Sequence, residues 1–212
     1  MSDRPLARGF LGGLMGLIVL CGAACGLVDD DRDEANKSIQ LTFSDKRLEA
    51  LCLEHYDLDG DGHLSRYEAQ RVVTLDCAAC GIASLVDLRE FVNLRELDCS
   101  GNALTELDLQ RQPLLERLDC HDNRLTTLEL SDLRALTHLD CRDNALPQLD
   151  LVSNGSLAWL DCRGNLLRTL DLSRCAVTLQ ADVRDNPDLA TVYYGSSGQK
   201  ILFDGLTTLV AR

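Results

Sequence analysis

The sequence has few aromatic residues, almost no methionine and fewer basic than acidic side chains. Aromatic residues occupy 4% of the 212 positions, so a core must be built mostly from leucine. Met15 is the only methionine after the initiator, which argues against a calcium sensor that opens a methionine-rich groove. The 21 Lys and Arg against 34 Asp and Glu give a net charge of −13, which argues against nucleic acid as a partner. A hydrophobic content of 45% nevertheless predicts a folded chain.

Charge is also missing from residues 10–28, directly after an N-terminus that carries two arginines. A basic start, an apolar stretch and small residues are typical of a secretory signal. The small residues that end at Cys25 resemble a bacterial lipobox, in which the cysteine is lipidated and becomes the new N-terminus. We therefore predict a lipoprotein signal over residues 1–25 and an acidic tether over 26–42, which place the rest of the chain outside the cytoplasm. A cleaved secretory signal and a retained membrane anchor are the alternatives.

Residues 57–68 match the twelve-residue EF-hand loop at each of its diagnostic positions. Alternating carboxylates supply the oxygens that a hard cation prefers, and Gly62 permits the sharp turn. The predicted calcium ligands are Asp57, Asp59, Asp61, the carbonyl of His63, Ser65 through a water, and Glu68 with two oxygens. Calcium is thus the expected cofactor, and we expect it to be structural; a calcium-gated switch is the alternative.

The segments on either side of this loop predict helices. Ser44 is the expected N-cap of a first helix, in which Leu48, Cys52 and His55 share one face, and a second short helix is expected over 69–73. EF-hand loops usually pack in pairs, yet the sequence contains only this one. Another segment must therefore cover its open face, and residues 43–73 are predicted to cap a larger unit.

A period of 21 residues fills the following part of the chain, and its clearest mark is the series Asn102, Asn123, Asn144, Asn165 and Asn186. Each repeat reads Leu-x-x-Leu-Asp-Cys-x-x-Asn with a further leucine after the asparagine, which in the fourth repeat is taken to be Leu166. This is the leucine-rich repeat pattern, and it predicts a β-rich right-handed solenoid over residues 74–190. Because one coil cannot bury its own apolar face, both ends need caps. Residues 191–212 are predicted to form a C-terminal β-hairpin cap.

The cysteines follow the same period. Cys99, Cys120, Cys141 and Cys162 are expected to form one buried column of free thiols, because cysteines strung along adjacent strands do not make a tetrahedral metal site. Cys175 is expected in a loop. A disulfide between Cys52 and either Cys77 or Cys80 is left open.

The repeats resemble those of bacterial internalins whose coils carry Cys in place of a core Leu. Residues 43–212 as a whole resemble bacterial surface proteins in which an EF-hand loop leads into Leu-Asp-Cys repeats. The resemblance implies a protein that binds proteins or glycans at the bacterial surface, here without identifying a ligand. A structural envelope protein with no specific ligand is the alternative.

The strand positions not occupied by the core are expected to form three exposed columns. The middle column is made of aspartates, which we name the aspartate column: Asp76, Asp98, Asp119, Asp140, Asp161 and Asp182. A polar ligand would contact the flanking columns, with the only tryptophan as an aromatic anchor. The alternative is a solvated face that binds nothing and whose aspartates favour the backbone between strand and turn. The predicted ligand-binding residues are Arg117, His121, His138, Arg142, Trp159 and Arg163.

The same surface carries residues of the types found in enzymatic and metal sites. His121, His138, Asp119 and Asp140 are expected to cluster on adjacent coils, where such residues could hold a metal or exchange protons. The sequence shows no nucleophile motif, phosphate loop or zinc signature, and an open repeat surface does not exclude water. The sequence therefore predicts a monomeric binding protein and not an enzyme.

Overall fold

The computed structural model describes residues 30–212. The predicted signal segment and Cys25 lie outside the described residues. Within them the helices are α1 (Asp30–Lys37), α2 (Lys46–Tyr56) and α3 (Arg66–Ala69), and a 3-10 helix spans Val86–Glu90. The strands are β1 (Thr74–Asp76), β2 (Glu96–Asp98), β3 (Arg117–Asp119), β4 (His138–Asp140), β5 (Trp159–Asp161), β6 (Thr169–Asp171), β7 (Gln180–Asp182), β8 (Thr191–Tyr194), β9 (Lys200–Leu202) and β10 (Thr208–Ala211).

The strands form two parallel sheets that run along a solenoid of about seven turns. The larger sheet has the order β1-β2-β3-β4-β5-β7-β9, and the smaller one contains β6, β8 and β10. Each strand of the larger sheet pairs with the equivalent strand of the next coil, so that Leu97, Leu118 and Leu139 lie side by side. The repeat pattern therefore predicted the solenoid correctly.

An asparagine ladder closes each coil behind its strand. The Asn144 side-chain amide donates to the carbonyl oxygens of Cys120 (3.0 Å) and Cys141 (3.2 Å), and its oxygen accepts from the Leu125 N–H (2.9 Å). The residue before each ladder asparagine has a positive φ, which favours glycine or aspartate there. These residues are Gly101, Asp122, Asp143, Gly164 and Asp185.

The core is leucine and thiol, as expected. Cys99, Cys120, Cys141 and Cys162 are fully buried, and burial raises the pKa of each thiol above its usual value. All eight cysteines among residues 30–212 are free, so the structure contains neither of the two bridges considered for Cys52. In the fourth repeat Leu167 fills the core position and Leu166 is 51% exposed, which corrects the assignment by one residue.

The C-terminal segment does not form the predicted β-hairpin. Strand β8 pairs in parallel with β6 and β10, whereas β9 pairs in parallel with β7, so β8 and β9 belong to different sheets. The glycines that suggested a hairpin turn are instead points of close approach between coils. A Cβ atom at Gly195 would lie 2.3 Å from the Ser173 carbonyl oxygen, and one at Gly198 would lie 2.7 Å from that of Val177.

The N-terminal helices differ from the prediction in their bounds. Asp45, not Ser44, caps α2, because its carboxylate accepts from the Arg47 N–H (2.9 Å) and also from the Ala83 N–H (2.8 Å) of the first coil. Helix α3 begins immediately after Ser65, its N-cap, and ends at Ala69 instead of starting there. Part of the segment predicted as a tether forms α1, whose Asp33 carboxylate lies 3.4 Å from the guanidinium of Arg71, just beyond α3.

Candidate binding face and cation loop

Three of the four carboxylates of the loop 57–68 lie close together. Carboxylate oxygens of Asp57, Asp59 and Asp61 lie within 4.8 Å of one another. Asp57 accepts hydrogen bonds from the N–H groups of Gly60 (2.8 Å) and Gly62 (3.0 Å), both of which have positive φ. The glycines thus let the backbone wrap around the first carboxylate.

Glu68 closes the loop from the other side. Its side chain is 3% exposed, and one of its oxygens accepts from the Leu58 N–H (2.7 Å). The other oxygen accepts from the backbone N–H and the hydroxyl of Ser65, both at 2.8 Å. Two predicted ligands, Ser65 and Glu68, are therefore held together at the start of α3, while the imidazole of His63 is exposed.

The open face of the single loop is covered by the segment that precedes α2. The Leu41 N–H donates to the Leu64 carbonyl (2.8 Å), and the Arg66 N–H donates to the Ile39 carbonyl (2.8 Å). These bonds surround an antiparallel bridge between Gln40 and Ser65. In paired EF-hands a second loop pairs with this part of the first loop. Here residues 39–41 take the place of that second loop.

The aspartate column is buried rather than exposed, apart from Asp76 at the edge strand β1. The carboxylate of each buried member accepts from the N–H two residues later, as Asp161 does from Arg163 (3.2 Å). The side chain of that later residue then folds over the carboxylate: the Arg184 guanidinium lies 2.6 Å from Asp182, which is 2% exposed. Alternation along the strand predicts an exposed column whose charge the neighbouring arginines partly offset; in the structure those neighbours also bury it.

The predicted ligand-binding arginines are consequently engaged within the chain. Arg142 lies 2.5 Å from Asp140 and Arg163 lies 2.7 Å from Asp161. Hydrogen bonding to Asp161 raises the pKa of Arg163, and the same bonds hold the guanidinium in place. These arginines are partly exposed and present a fixed charge to solvent, but their carboxylate partners already satisfy much of their hydrogen-bonding capacity.

His138 and Trp159 meet on adjacent strands. Their ring centroids are 6.4 Å apart with an interplanar angle of 24°, which is a stacked arrangement. The Nδ1 atom of His138 lies 2.9 Å from the hydroxyl of Thr137, a contact that the sequence did not predict. Burial, with the nearby Arg117 charge, lowers the pKa of His138 and favours a neutral ring. The pair is half-buried and forms an aromatic platform on the sheet surface.

His121 joins two carboxylates instead of joining His138. One ligand atom from each of Asp119, His121 and Asp140 lies within 4.8 Å of the others, and Nδ1 of His121 is 2.5 Å from Asp119. Burial opposes protonation of this imidazole, but the hydrogen bond to Asp119 raises its pKa overall. Burial and the neighbouring Asp119 charge raise the pKa of Asp140 to about 7. The expected cluster therefore forms with one histidine.

A second buried polar position recurs at the repeat period on another side of the coil. Gln112 donates to the Leu88 carbonyl (2.7 Å) and Asn154 donates to the Leu133 carbonyl (2.9 Å). Among the described residues, the side-chain oxygens of Gln112 and Asn154 are buried without a hydrogen-bond partner. The sequence carried the signal, since these positions differ by twice 21 residues.

No family model and no curated protein matches the chain. Among solved structures, the functional domain of InlJ from Listeria monocytogenes, described as including a cysteine ladder, is 27% identical with a TM-score of 0.64. The match covers 75% of this chain and 37% of that one. The fold is a leucine-rich repeat solenoid.

Two further structures agree with this fold. The internalin InlF from Listeria monocytogenes is 18% identical with a TM-score of 0.51, and the match covers 80% of this chain and 55% of that one. The LRIM1/APL1C complex gives 18% identity and a TM-score of 0.51, with 69% of this chain and 38% of that one covered. The solenoid thus spans about half or less of the structures it resembles. In residues 30–212, no helix has both the length and the apolar character required to cross a bilayer.

Proposed function

We propose that this protein is an exported binding module that recognises a protein or glycan at the bacterial cell surface through the exposed side of its larger sheet. The basic and apolar N-terminal segment supports export, and Cys25 supports a lipid anchor. The likeness to internalin structures supports binding as the role. Catalysis has no support beyond a small histidine and aspartate cluster.

The stacked pair of His138 and Trp159 carries the proposal. An aromatic side chain offers a large contact area at low entropic cost, and hot spots of interfaces are enriched in tryptophan and arginine. Arg142 and Arg163, each four residues after a member of the pair, are held by their aspartates, so they lose little conformational freedom when a partner binds. The sheet therefore presents a rigid aromatic centre with a charged border.

A purely structural envelope role is the second candidate. One observation favours it: the guanidinium groups of Arg142, Arg163 and Arg184 already have carboxylate partners within the chain. A surface whose charged groups are already paired with one another needs no ligand to pair them. The two candidates predict different results when the aromatic pair is substituted. A binding module should lose affinity for its partner, whereas a structural protein has no such affinity to lose.

Binding can be tested with the paired substitution His138→Ala/Trp159→Ala. Purified full-length protein is screened against a glycan array and immobilised surface proteins of bacterial and host cells. We expect a hit whose affinity falls at least tenfold, about 1.4 kcal/mol, in the double variant, because the aromatic contact area is lost. In the wild type, the fluorescence of the single tryptophan should shift when that partner binds.

Val177→Ala is the matched control, since Val177 is 65% exposed in a turn outside the strands. It should bind like the wild type. A screen with no saturable partner, or equal binding by the double variant, would support the structural role instead.

We also propose that the loop 57–68 holds calcium and that calcium stabilises the N-terminal end of the solenoid. The residues present fit the ion: three carboxylates converge, and the buried Glu68 carboxylate faces back toward residue 58. Calcium would supply the positive charge that offsets repulsion among these groups. The covered face of the loop supports a structural role over a switch.

Calcium should raise the melting temperature of the wild type, and Glu68→Gln should remove most of that increase. Stabilisation at a calcium concentration one hundredfold above Kd is about 2.7 kcal/mol. Differential scanning calorimetry in calcium and in chelator measures the difference. Glu54→Gln makes the same charge change at an exposed site of α2 and should respond like the wild type. An equal calcium response in Glu68→Gln would contradict the proposal, and a large change in far-UV ellipticity would favour the switch.

A further inference from the structure

The cover over the aspartate column changes identity along the solenoid. The residue two positions after each buried aspartate is Ser100, His121, Arg142, Arg163 or Arg184 in successive coils. The last three coils place a guanidinium on their own carboxylate. The residue two positions after Asp119 is a histidine, whose imidazole is charged only when it is protonated, whereas a guanidinium is always charged. The covering residue therefore supplies a permanent positive charge at Asp140 in β4 and a conditional one at Asp119 in β3.

We propose that Asp119, His121 and Asp140 form a binding site for a divalent transition metal ion, with zinc as the expected occupant. The site lies on the larger sheet where β3 and β4 end, distant in sequence from the calcium loop. It is a function additional to partner binding and does not depend on it.

The geometry of the three groups fits such an ion. Their ligand atoms already lie within 4.8 Å of one another, and zinc bound tetrahedrally at about 2.0–2.2 Å spaces its ligands about 3.3 Å apart. Small side-chain rotations bring the atoms to that spacing. Asp119 and Asp140 are each less than a tenth exposed and stand on paired strands, so their separation is fixed by the sheet.

The chemistry of the ligands selects the class of metal. One imidazole nitrogen with two carboxylates suits zinc and similar transition metals, whereas calcium prefers oxygen ligands alone. A bound divalent cation would add positive charge between the buried carboxylates of Asp119 and Asp140. Buried carboxylates are otherwise costly to keep ionised.

The carboxylate of Asp122 lies near the second ring nitrogen of His121. It is 3.6 Å from Nε2 of His121, while Nδ1 faces Asp119. A histidine that ligates a metal usually directs its other ring nitrogen to a carboxylate or carbonyl, which fixes the ring and the tautomer. Here Nδ1 is hydrogen-bonded to Asp119, so an ion that binds Nδ1 would replace the proton of that bond and bring both groups into its coordination shell. Asp122 is the residue before a ladder asparagine, and it has the positive φ (51°) that this turn position requires.

Arg142 opposes the ion and sets a limit on affinity. Its guanidinium lies 2.5 Å from Asp140, so a cation must share or displace that contact. The same guanidinium is 4.0 Å from Asp161, which offers it an alternative partner in the next coil. We therefore expect micromolar rather than nanomolar zinc binding, with the remaining coordination positions open to water or to a group from a partner.

Zinc titration of the full-length protein in saturating calcium tests the proposal, with a chromophoric chelator as competitor. We expect one zinc per chain, and cobalt substituted for zinc should show ligand-field absorption bands. His121→Arg should lower zinc affinity at least 100-fold and abolish the cobalt bands. This substitution installs the residue found in the next three coils, so the fold is expected to be retained.

His138→Gln is the matched control, because it removes the other histidine of the sheet surface and should leave zinc binding unchanged. His121→Gln gives a second test should His121→Arg fail to fold, and it should also lose the site. Absence of saturable zinc binding by the wild type would overturn the proposal. Zinc affinity equal to that of the wild type in both His121 variants, or loss of the zinc in Glu68→Gln instead, would overturn it as well.

Discussion

Asn165→Ala is expected to lower the free energy of unfolding by about 3–5 kcal/mol. The Asn165 amide is buried and donates to the carbonyls of Cys141 (2.9 Å) and Cys162 (3.1 Å). It also donates to the Arg163 carbonyl (3.2 Å), and its oxygen accepts from the Leu146 N–H (3.0 Å). With alanine at this position, each of these backbone groups would lose one hydrogen-bond partner in a site that water does not reach. Each buried group left unsatisfied lowers the free energy of unfolding by on the order of 1 kcal/mol or more.

Urea denaturation followed by circular dichroism measures this loss, provided the m-value stays constant. Asn93→Ala is the matched control, since Asn93 is exposed and its amide donates to the Gln70 carbonyl (2.7 Å). It should cost about 1 kcal/mol or less. A loss in Asn165→Ala no larger than that of the control would mean that the asparagine ladder does not hold adjacent coils together.

The asparagine ladder and the leucine core could be predicted because both depend on position within one repeat. The asparagine that recurs every 21 residues has the same structural role in each coil, so each copy supports the assignment made for the others. The same reasoning identified the buried thiols. Where the copy is imperfect, as at Leu166 and Leu167, the pattern alone was off by one residue.

The burial of the aspartate column could not be predicted from strand alternation. A residue that points away from the core is exposed to solvent only if no neighbouring side chain covers it. Here Arg163 and Arg184 lie on the same surface two residues later and fold back over Asp161 and Asp182. This cover is a property of stacked coils, because Arg163 also lies 3.4 Å from Asp182 of the following coil.

The ends of the solenoid were the least predictable part, since repeats give no information where they stop. Asp45 caps the helix because its carboxylate accepts from both Arg47 and Ala83, whereas the N–H of Ser44 donates to Asp87 of the first coil (2.6 Å). At the other end, Val192 and Ile201 align with Leu170 and Ala181 of earlier coils. Their segments therefore continue the two sheets, although their local sequence favours a hairpin.

Leu139→Ala should destabilise the solenoid by about 3–5 kcal/mol. Leu139 is fully buried in β4, in register with Leu118 on one side and Leu160 on the other. Removing its side chain leaves a cavity between three coils, and the flanking strands cannot close it without breaking their parallel pairing. Thermal and urea unfolding of the purified protein give the difference from the wild type.

The position of the cavity should also affect how the protein unfolds. In a repeat protein each coil is stabilised mainly by its neighbours, so a weak central interface reduces the coupling between the two halves. We expect a broader or biphasic transition for Leu139→Ala. Leu209→Ala in the terminal strand β10, where the side chain is 36% exposed, should cost about 1 kcal/mol or less and keep a single transition. Equal losses at the two positions would show that the central leucines are not what joins the coils into one cooperative unit.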